Sequence, residues 1–153
     1  FSEWQIRNIH QLILKNIDDD NAGRYRQQNV LISGATTMPP DYTLLNDKMA
    51  QLVDWYNSES HTLHPIERAA KVHADFVGIH PFIDGNGRTS RLLMNLELMK
   101  AGYPPCVITV ENRLAYYEAL DQWMAYDKTD TFIKLVAEAV LESFKPYQVV
   151  LGI

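Results

Sequence analysis

The densest set of reactive and charged groups in the chain is the run His80-Pro81-Phe82-Ile83-Asp84-Gly85-Asn86-Gly87-Arg88-Thr89-Ser90-Arg91. His80 is the group in this run that titrates near neutrality, and a neutral imidazole can take the proton from an attacking hydroxyl. Asp84 offers hard oxygen ligands of the kind that share Mg²⁺ with substrate phosphates. Gly85 and Gly87 flank Asn86 and free the backbone, so that successive N–H groups can form a concave anion site. A helix beginning near Arg88 points its positive dipole end at the same spot. Arg88 and Arg91 are three apart and share one helical face beside it. Base, metal ligand, phosphate cradle and cationic clamp are the parts of a phosphoryl-type transfer, where positioning and charge stabilisation supply most of the rate. Taken singly, His-Pro and Gly-Asn-Gly are turn chemistry and Arg88 is a surface residue. A turn, however, has no use for two arginines facing a glycine nest.

The elements that must position these groups are helices. Apolar residues recur with a period near 3.6. Ser2-Glu3-Trp4-Gln5 has capping-box spacing and opens a helix with Ile6, Ile9, Leu12 and Ile13 inward. A second follows Pro39-Pro40-Asp41 and carries Leu45, Met49, Leu52, Val53 and Tyr56. Pro65 suits the first position of a third, with Ala69, Val72, Phe76 and Ile79 inward, and His64 before it reads as a cap or packing residue. The fourth spans about Arg88 to Ala101, shows Leu92, Leu93, Leu96 and Met99, and stops at Gly102. Asn112 can cap a fifth, with Ala115, Ala119, Leu120 and Trp123. Asp130 can cap a sixth, with Ile133, Val136, Val140 and Phe144. The expected fold is therefore all-α. Only Asn29 to Met38, β-branched around a central Gly34, departs from this pattern, and predicts a short β-hairpin flap laid over the helices.

With 153 residues there is room for one domain with a proper core, expected over 1–153. Composition is ordinary for a globular protein, at 46% hydrophobic and 22% charged. The net charge of -5 and the lack of a basic cluster argue against a nucleic-acid partner. No apolar run reaches the roughly 18 residues of a membrane span. Cys106 is the only cysteine, which excludes an internal disulfide and a multi-cysteine zinc site. It reads as a small buried hydrophobe, is compatible with a reducing compartment, and leaves cytoplasmic residence as the expectation. His61, His64 and His73 fit no common zinc spacing with His80. His10 is expected to be partly exposed. The first residue is Phe1, not Met, so the chain reads as excised from something longer.

Residues His80 to Arg91 resemble the signature of Fic-domain proteins, His-x-Phe-x-Asp/Glu-Gly-Asn-Gly-Arg-x-x-Arg, at every specified position. The likeness continues in Gly23-Arg24-Tyr25-Arg26, Pro39-Pro40, His64-Pro65, Leu92 to Leu96, Ala101 to Pro105 and Glu111-Asn112-Arg113 with Tyr116-Tyr117. It points to a subgroup that includes the animal endoplasmic-reticulum AMP-transferase and bacterial relatives. The resemblance implies a Fic-type helical bundle that moves AMP from ATP to a Tyr, Thr or Ser hydroxyl of a target protein. It implies His80 as base and Asp84 as the Mg²⁺ ligand. Gly85, Asn86 and Gly87 would line the phosphate loop, with Arg88 and Arg91 on the phosphates and Phe82 beside the nucleotide. Tyr116 and Tyr117 fall where the family places adenine contacts, although core aromatics of an amphipathic helix would look the same. The flap residues Val30, Leu31, Ile32, Ser33, Gly34, Thr37 and Met38 would pair with an extended target segment. Gly87, where a phosphate-transferring branch has Lys, favours AMP.

The self-inhibitory pattern of many Fic proteins, Ser/Thr-x-x-x-Glu-Gly/Asn, is not found in residues 1–153. The resemblance thus implies an inhibitory helix supplied upstream in cis, or in trans, with dimerisation a further family-level expectation. Two other readings stand beside AMP transfer: a transferase using another nucleotide or phosphate donor, and a silent module that binds peptides through the flap.

Overall fold

A computed structural model describes residues 1–152. Among the described residues six helices follow in order: α1 (Glu3–Leu14), α2 (Leu45–Ser58), α3 (Pro65–Ile79), α4 (Asn86–Lys100), α5 (Arg113–Tyr126) and α6 (Asp130–Leu151). Single 3₁₀ turns lie at Tyr42–Leu44 and Ser60–Thr62. Local chemistry sets most of the ends. The Ser2 hydroxyl accepts the Gln5 N–H at 3.3 Å. At the start of α3, His64 Nδ1 accepts the Ile66 N–H while Glu67 accepts the His64 N–H, a reciprocal cap ahead of Pro65. α4 stops at Gly102 (φ 85°), where the Tyr103 N–H reaches back to the Leu98 carbonyl at 3.0 Å. Asn112 precedes α5 but makes no capping hydrogen bond, and Asp130 is the first helical residue of α6, with Thr129 ahead of it.

α3 is the central rod, packed against α2, α4, α5 and α6, while α1 lies on α4 and α2. One apolar cluster joins α3 to α5 and α6 through Ala70, Val77, Trp123, Phe132 and Val136. The other joins α1, α2 and α3 through Ile6, Met49, Val72 and Phe76, and takes in Phe82 from the motif. Between α2, α3 and α4 sits a buried carboxylate. Glu97 is 1% exposed and accepts from the Tyr56 hydroxyl (2.8 Å), Arg68 (3.2 Å) and Lys100 (2.7 Å).

Two inward faces differ from the expected ones. On α4 the buried stripe runs Asn86, Thr89/Ser90, Leu93/Met94, Glu97/Leu98, whereas Leu92, Leu96 and Met99 are exposed. On α1 the buried positions are Ile6, His10 and Leu14, and Leu12 is 73% exposed. In both cases polar residues hydrogen-bonded in the interior occupy positions where apolar spacing had pointed elsewhere. His10, expected to be partly exposed, is wholly buried.

The expected β-hairpin over Asn29–Met38 is not formed, and no strand occurs among the described residues. The segment is an open loop with one backbone turn, from the Ala35 N–H to the Ile32 carbonyl. Its tip is fastened sideways, because Asp121 of α5 accepts both the N–H and the hydroxyl of Thr36, at 2.8 and 2.7 Å. Leu31 and Met38 are 76% and 72% exposed. A two-stranded ribbon with its large apolar residues in water has no packing to support it.

Candidate functional site

The motif connects the C-terminus of α3 to the N-terminus of α4. His80 ends α3 in the left-handed region (φ 51°), which turns its side chain off the helix axis. Its Nδ1 lies 3.3 Å from the Val77 carbonyl. A carbonyl only accepts, so that contact places the proton on Nδ1 and leaves Nε2 as the basic nitrogen. Burial lowers the His80 pKa below the ordinary imidazole value. The Arg26 charge lowers it further, while the Val77 carbonyl and Asp84 act in the opposite direction.

The loop after His80 is held from inside. Asn86 Oδ1 accepts the Phe82 N–H at 2.9 Å and its Nδ2 donates to the Phe82 carbonyl at 2.8 Å. The Asn86 side chain, expected to line the phosphate loop, is a staple across it, and only its backbone N–H is left to the cradle. Phe82, expected beside the nucleotide, is 0% exposed and packs near Phe76 and Tyr25. It stacks on His10 with ring centroids 3.5 Å apart and planes within 4°. His10 accepts the Gly23 N–H on Nδ1 (2.9 Å), which leaves Nε2–H to donate to the Asp84 carbonyl (2.8 Å).

The two glycines serve different ends. Gly85 has φ 78°, and a Cβ there would stand 3.1 Å from His10 Nε2. Gly87 is helical, and a Cβ there would meet Arg91 Nη1 at 3.5 Å, an ordinary contact. The expectation that both supply unusual backbone holds for Gly85 alone. From Gly85 the chain enters α4 with the N–H groups of Asn86, Gly87 and Arg88 lacking acceptors among the described residues. Three aligned donors at a helix N-terminus form an anion site.

Around these donors stand the charged groups. The Asp84 carboxylate accepts the Gly85 N–H on Oδ1 (2.6 Å) and pairs with Arg88 on Oδ2 (2.9 Å). Arg91 makes no ion pair among the described residues. It borders a cavity of about 260 Å³ lined by Ile108, Thr109, Val110, Arg113, Tyr116 and Tyr117. Tyr116 and Tyr117 therefore share a pocket with Arg91. The Tyr116 ring is 7% exposed, its hydroxyl is tied to buried His73 at 2.8 Å, and burial raises its pKa to about 12. Tyr117 is half-exposed and lies under the Arg113 guanidinium, 5.6 Å from its ring centre. A larger cavity of about 720 Å³ runs between the flap residues Thr37 and Met38 and Trp55, Lys71 and Trp123, and includes neither His80 nor residues 84–91 in its lining.

Sequence reasoning missed His10, Arg26 and the pocket wall at Thr109 and Val110. Arg26 is 3% exposed and donates from Nε to the His80 carbonyl at 2.9 Å. A signal for His10 was present: it sits four residues after Ile6 and four before Leu14, on the buried stripe of α1. Nothing local marks Arg26 as buried.

The description Fic/DOC family is attached to the profile that matches residues 1–98. Over 116 residues the chain is 45% identical to protein adenylyltransferase fic-1 of Caenorhabditis elegans, covering 75% of this chain and 22% of that protein. It is 47% identical to protein adenylyltransferase Fic of Drosophila willistoni, again over 75% of the chain and 23% of the relative. The chain thus spans less than a quarter of the length of these two relatives. In three dimensions it superposes on residues 134–508 of Fic-1 from C. elegans with a TM-score of 0.88 and 37% identity, over 99% of this chain and 44% of that one. A twelve-residue signature laid out as a stapled loop, a matching profile and this superposition lead to one statement: the chain belongs to the Fic/DOC family.

Proposed function

We propose that this domain transfers AMP from ATP to a hydroxyl side chain of another protein. The observation that carries the reading is the N-terminus of α4: three unpaired backbone donors at 86–88, Arg91 beside them without a carboxylate, and the Tyr116–Tyr117 pocket adjoining. A nucleotide with its base in that pocket would lay its phosphates on the donors. Arg88 and Arg91 would take the negative charge, and the helix dipole adds to theirs. The target hydroxyl oxygen attacks the α-phosphorus and its proton passes to His80 Nε2. The bond from that phosphorus to the β-phosphate bridging oxygen breaks, and pyrophosphate leaves with the electron pair.

Asp84 suits Mg²⁺ that arrives with the nucleotide. Its carboxylate is exposed and beside the anion site, and no group of three metal-ligating side chains exists among the described residues to hold an ion alone. Bound there, Mg²⁺ would neutralise phosphate charge, with Arg88 moving from Asp84 to the phosphates. The flap residues 30–38 are exposed or half-buried, and an extended target segment can add to them by main-chain hydrogen bonds. A glutamate presented to Arg91 from an inhibitory helix would compete with the terminal phosphate.

The test incubates the protein with Mg²⁺, a lysate of candidate targets and ATP labelled at the α- or the γ-phosphate. Label entering protein only from the α-phosphate, and absent with His80→Ala, supports AMP transfer with His80 as base. Label only from the γ-phosphate would replace the reading with phosphorylation. Failure to bind ATP would leave a peptide-binding module.

A further inference from the structure

Arg26 holds together two parts of the molecule that lie far apart in sequence. Its Nη1 donates to the Gln28 carbonyl at 2.8 Å and its Nη2 to the Pro40 carbonyl at 2.6 Å, so both ends of the flap hang on one guanidinium. The third edge of that group donates from Nε to the His80 carbonyl at 2.9 Å, and the Arg26 N–H donates to the Pro81 carbonyl at 2.9 Å. All four acceptors are main-chain oxygens. No carboxylate pairs with this buried cation among the described residues. Burial lowers its pKa, and only Asp41 at the far end of the flap opposes that. A buried, unpaired charge costs stability relative to an apolar group of the same size. The planar fork, however, reaches three separated carbonyls at once, which an ammonium group on a single point cannot do.

We propose that Arg26 is a positioning residue that locks the flap of residues 28–40 to the backbone of His80, and thereby sets a target hydroxyl at the right distance from the catalytic base. The inference rests on the flap reading above. In that arrangement the nucleotide pocket at Arg91 and Tyr116 is built without Arg26, because its lining comes from α4, α5 and the segment before α5. Loss of Arg26 should therefore separate target chemistry from nucleotide binding.

The experiment compares Arg26→Met and Arg26→Lys with the parental protein, using far-ultraviolet circular dichroism to check folding. If Arg26→Met does not fold, Arg26→Lys, which keeps the charge and one contact, carries the test. Three readouts follow. The first is chymotrypsin cleavage at Leu31, located by mass spectrometry, which should become about tenfold faster as the flap comes loose. The second is transfer of α-labelled AMP, where kcat should fall on the order of ten- to a hundredfold through misplacement of the hydroxyl. ATP affinity measured by calorimetry should stay within about twofold. Unchanged cleavage and unchanged transfer would overturn the proposal, as would a parallel loss of ATP binding, which marks a general structural role. Should the parental protein transfer no label, the AMP-transfer reading fails, while the cleavage rates still decide whether Arg26 holds the flap.

Discussion

A methyl group added at Gly85 would stand 3.1 Å from His10 Nε2 on a backbone with φ 78°, so strain and collision act together. Gly85→Ala should destabilise the domain by about 1–3 kcal/mol, seen as a lowered thermal midpoint. The neighbouring change behaves differently. Gly87 is helical, its added methyl meets only the flexible end of Arg91, and Gly87→Ala should leave the midpoint unchanged or slightly raised. Its effect should appear instead as weaker ATP binding in calorimetry, since the methyl stands against the Arg91 guanidinium and intrudes on the proposed phosphate site. Equal loss of stability in both variants would contradict this division. His80 supports a second expectation. Burial, joined by the Arg26 charge, lowers its pKa, so the neutral imidazole persists below the ordinary value near 6.5. The transfer rate at saturating ATP should fall on acidification with its midpoint below about 6.5. A rate already halved at pH 7 would show that the imidazole is not held neutral in this way.

At the scale of elements, α4 depends on a charge in its buried stripe. Glu97 joins it to α2 through Tyr56 and to α3 through Arg68. Glu97→Ala would leave the Arg68 and Tyr56 donors facing an empty site, and should cost about 3–5 kcal/mol in urea unfolding. A loss under about 1 kcal/mol would mean that water replaces the carboxylate freely. The same stripe explains what sequence could and could not deliver. Helix existence was legible from period-3.6 spacing and from Ser2, Pro65 and Gly102, each of which acts where expected. The inward face of α4 was not, because Asn86, Thr89, Ser90 and Glu97 occupy interior positions as hydrogen-bonded polar residues while Leu92, Leu96 and Met99 face out. Hydrophobicity alone cannot rank a satisfied buried polar group above an exposed leucine. The flap failed for a related reason: β-branched residues favour strands only when one face is covered, and Asp121 and Arg26 hold this segment by other bonds. The candidate site was legible in its residue types, since spacing alone singled out His80, Asp84, Arg88 and Arg91. The roles of Asn86 and Phe82 as staple and anchor required the third dimension.

For the molecule as a whole, three histidines within the helical body have pKa values lowered chiefly by burial: His10, His73 and His80. His73, wholly buried, is pushed down to about 3. In the unfolded chain each protonates near 6.5, so below that value the unfolded state binds more protons and stability falls as pH falls. For His73 the loss continues down to about pH 3, at roughly 1.4 kcal/mol per pH unit. The thermal midpoint should therefore drop steadily between pH 7 and pH 5, and His73→Gln should show a shallower slope than the parental protein. Parallel slopes would assign the acid sensitivity elsewhere.

The flap meets the helical body at a few fixed points: its two ends on Arg26 and its tip on Asp121. Between them Val30, Leu31, Ser33, Gly34 and Met38 make no side-chain hydrogen bond that the core requires, and Gly34 has no atom within 4 Å of where a Cβ would stand. The segment is accordingly a cartridge. If the segment holds the target as proposed, exchanging its sequence for another of the same span should leave the helices and the loop at 82–88 in place and change which target is held, so that such a domain could be retargeted by grafting.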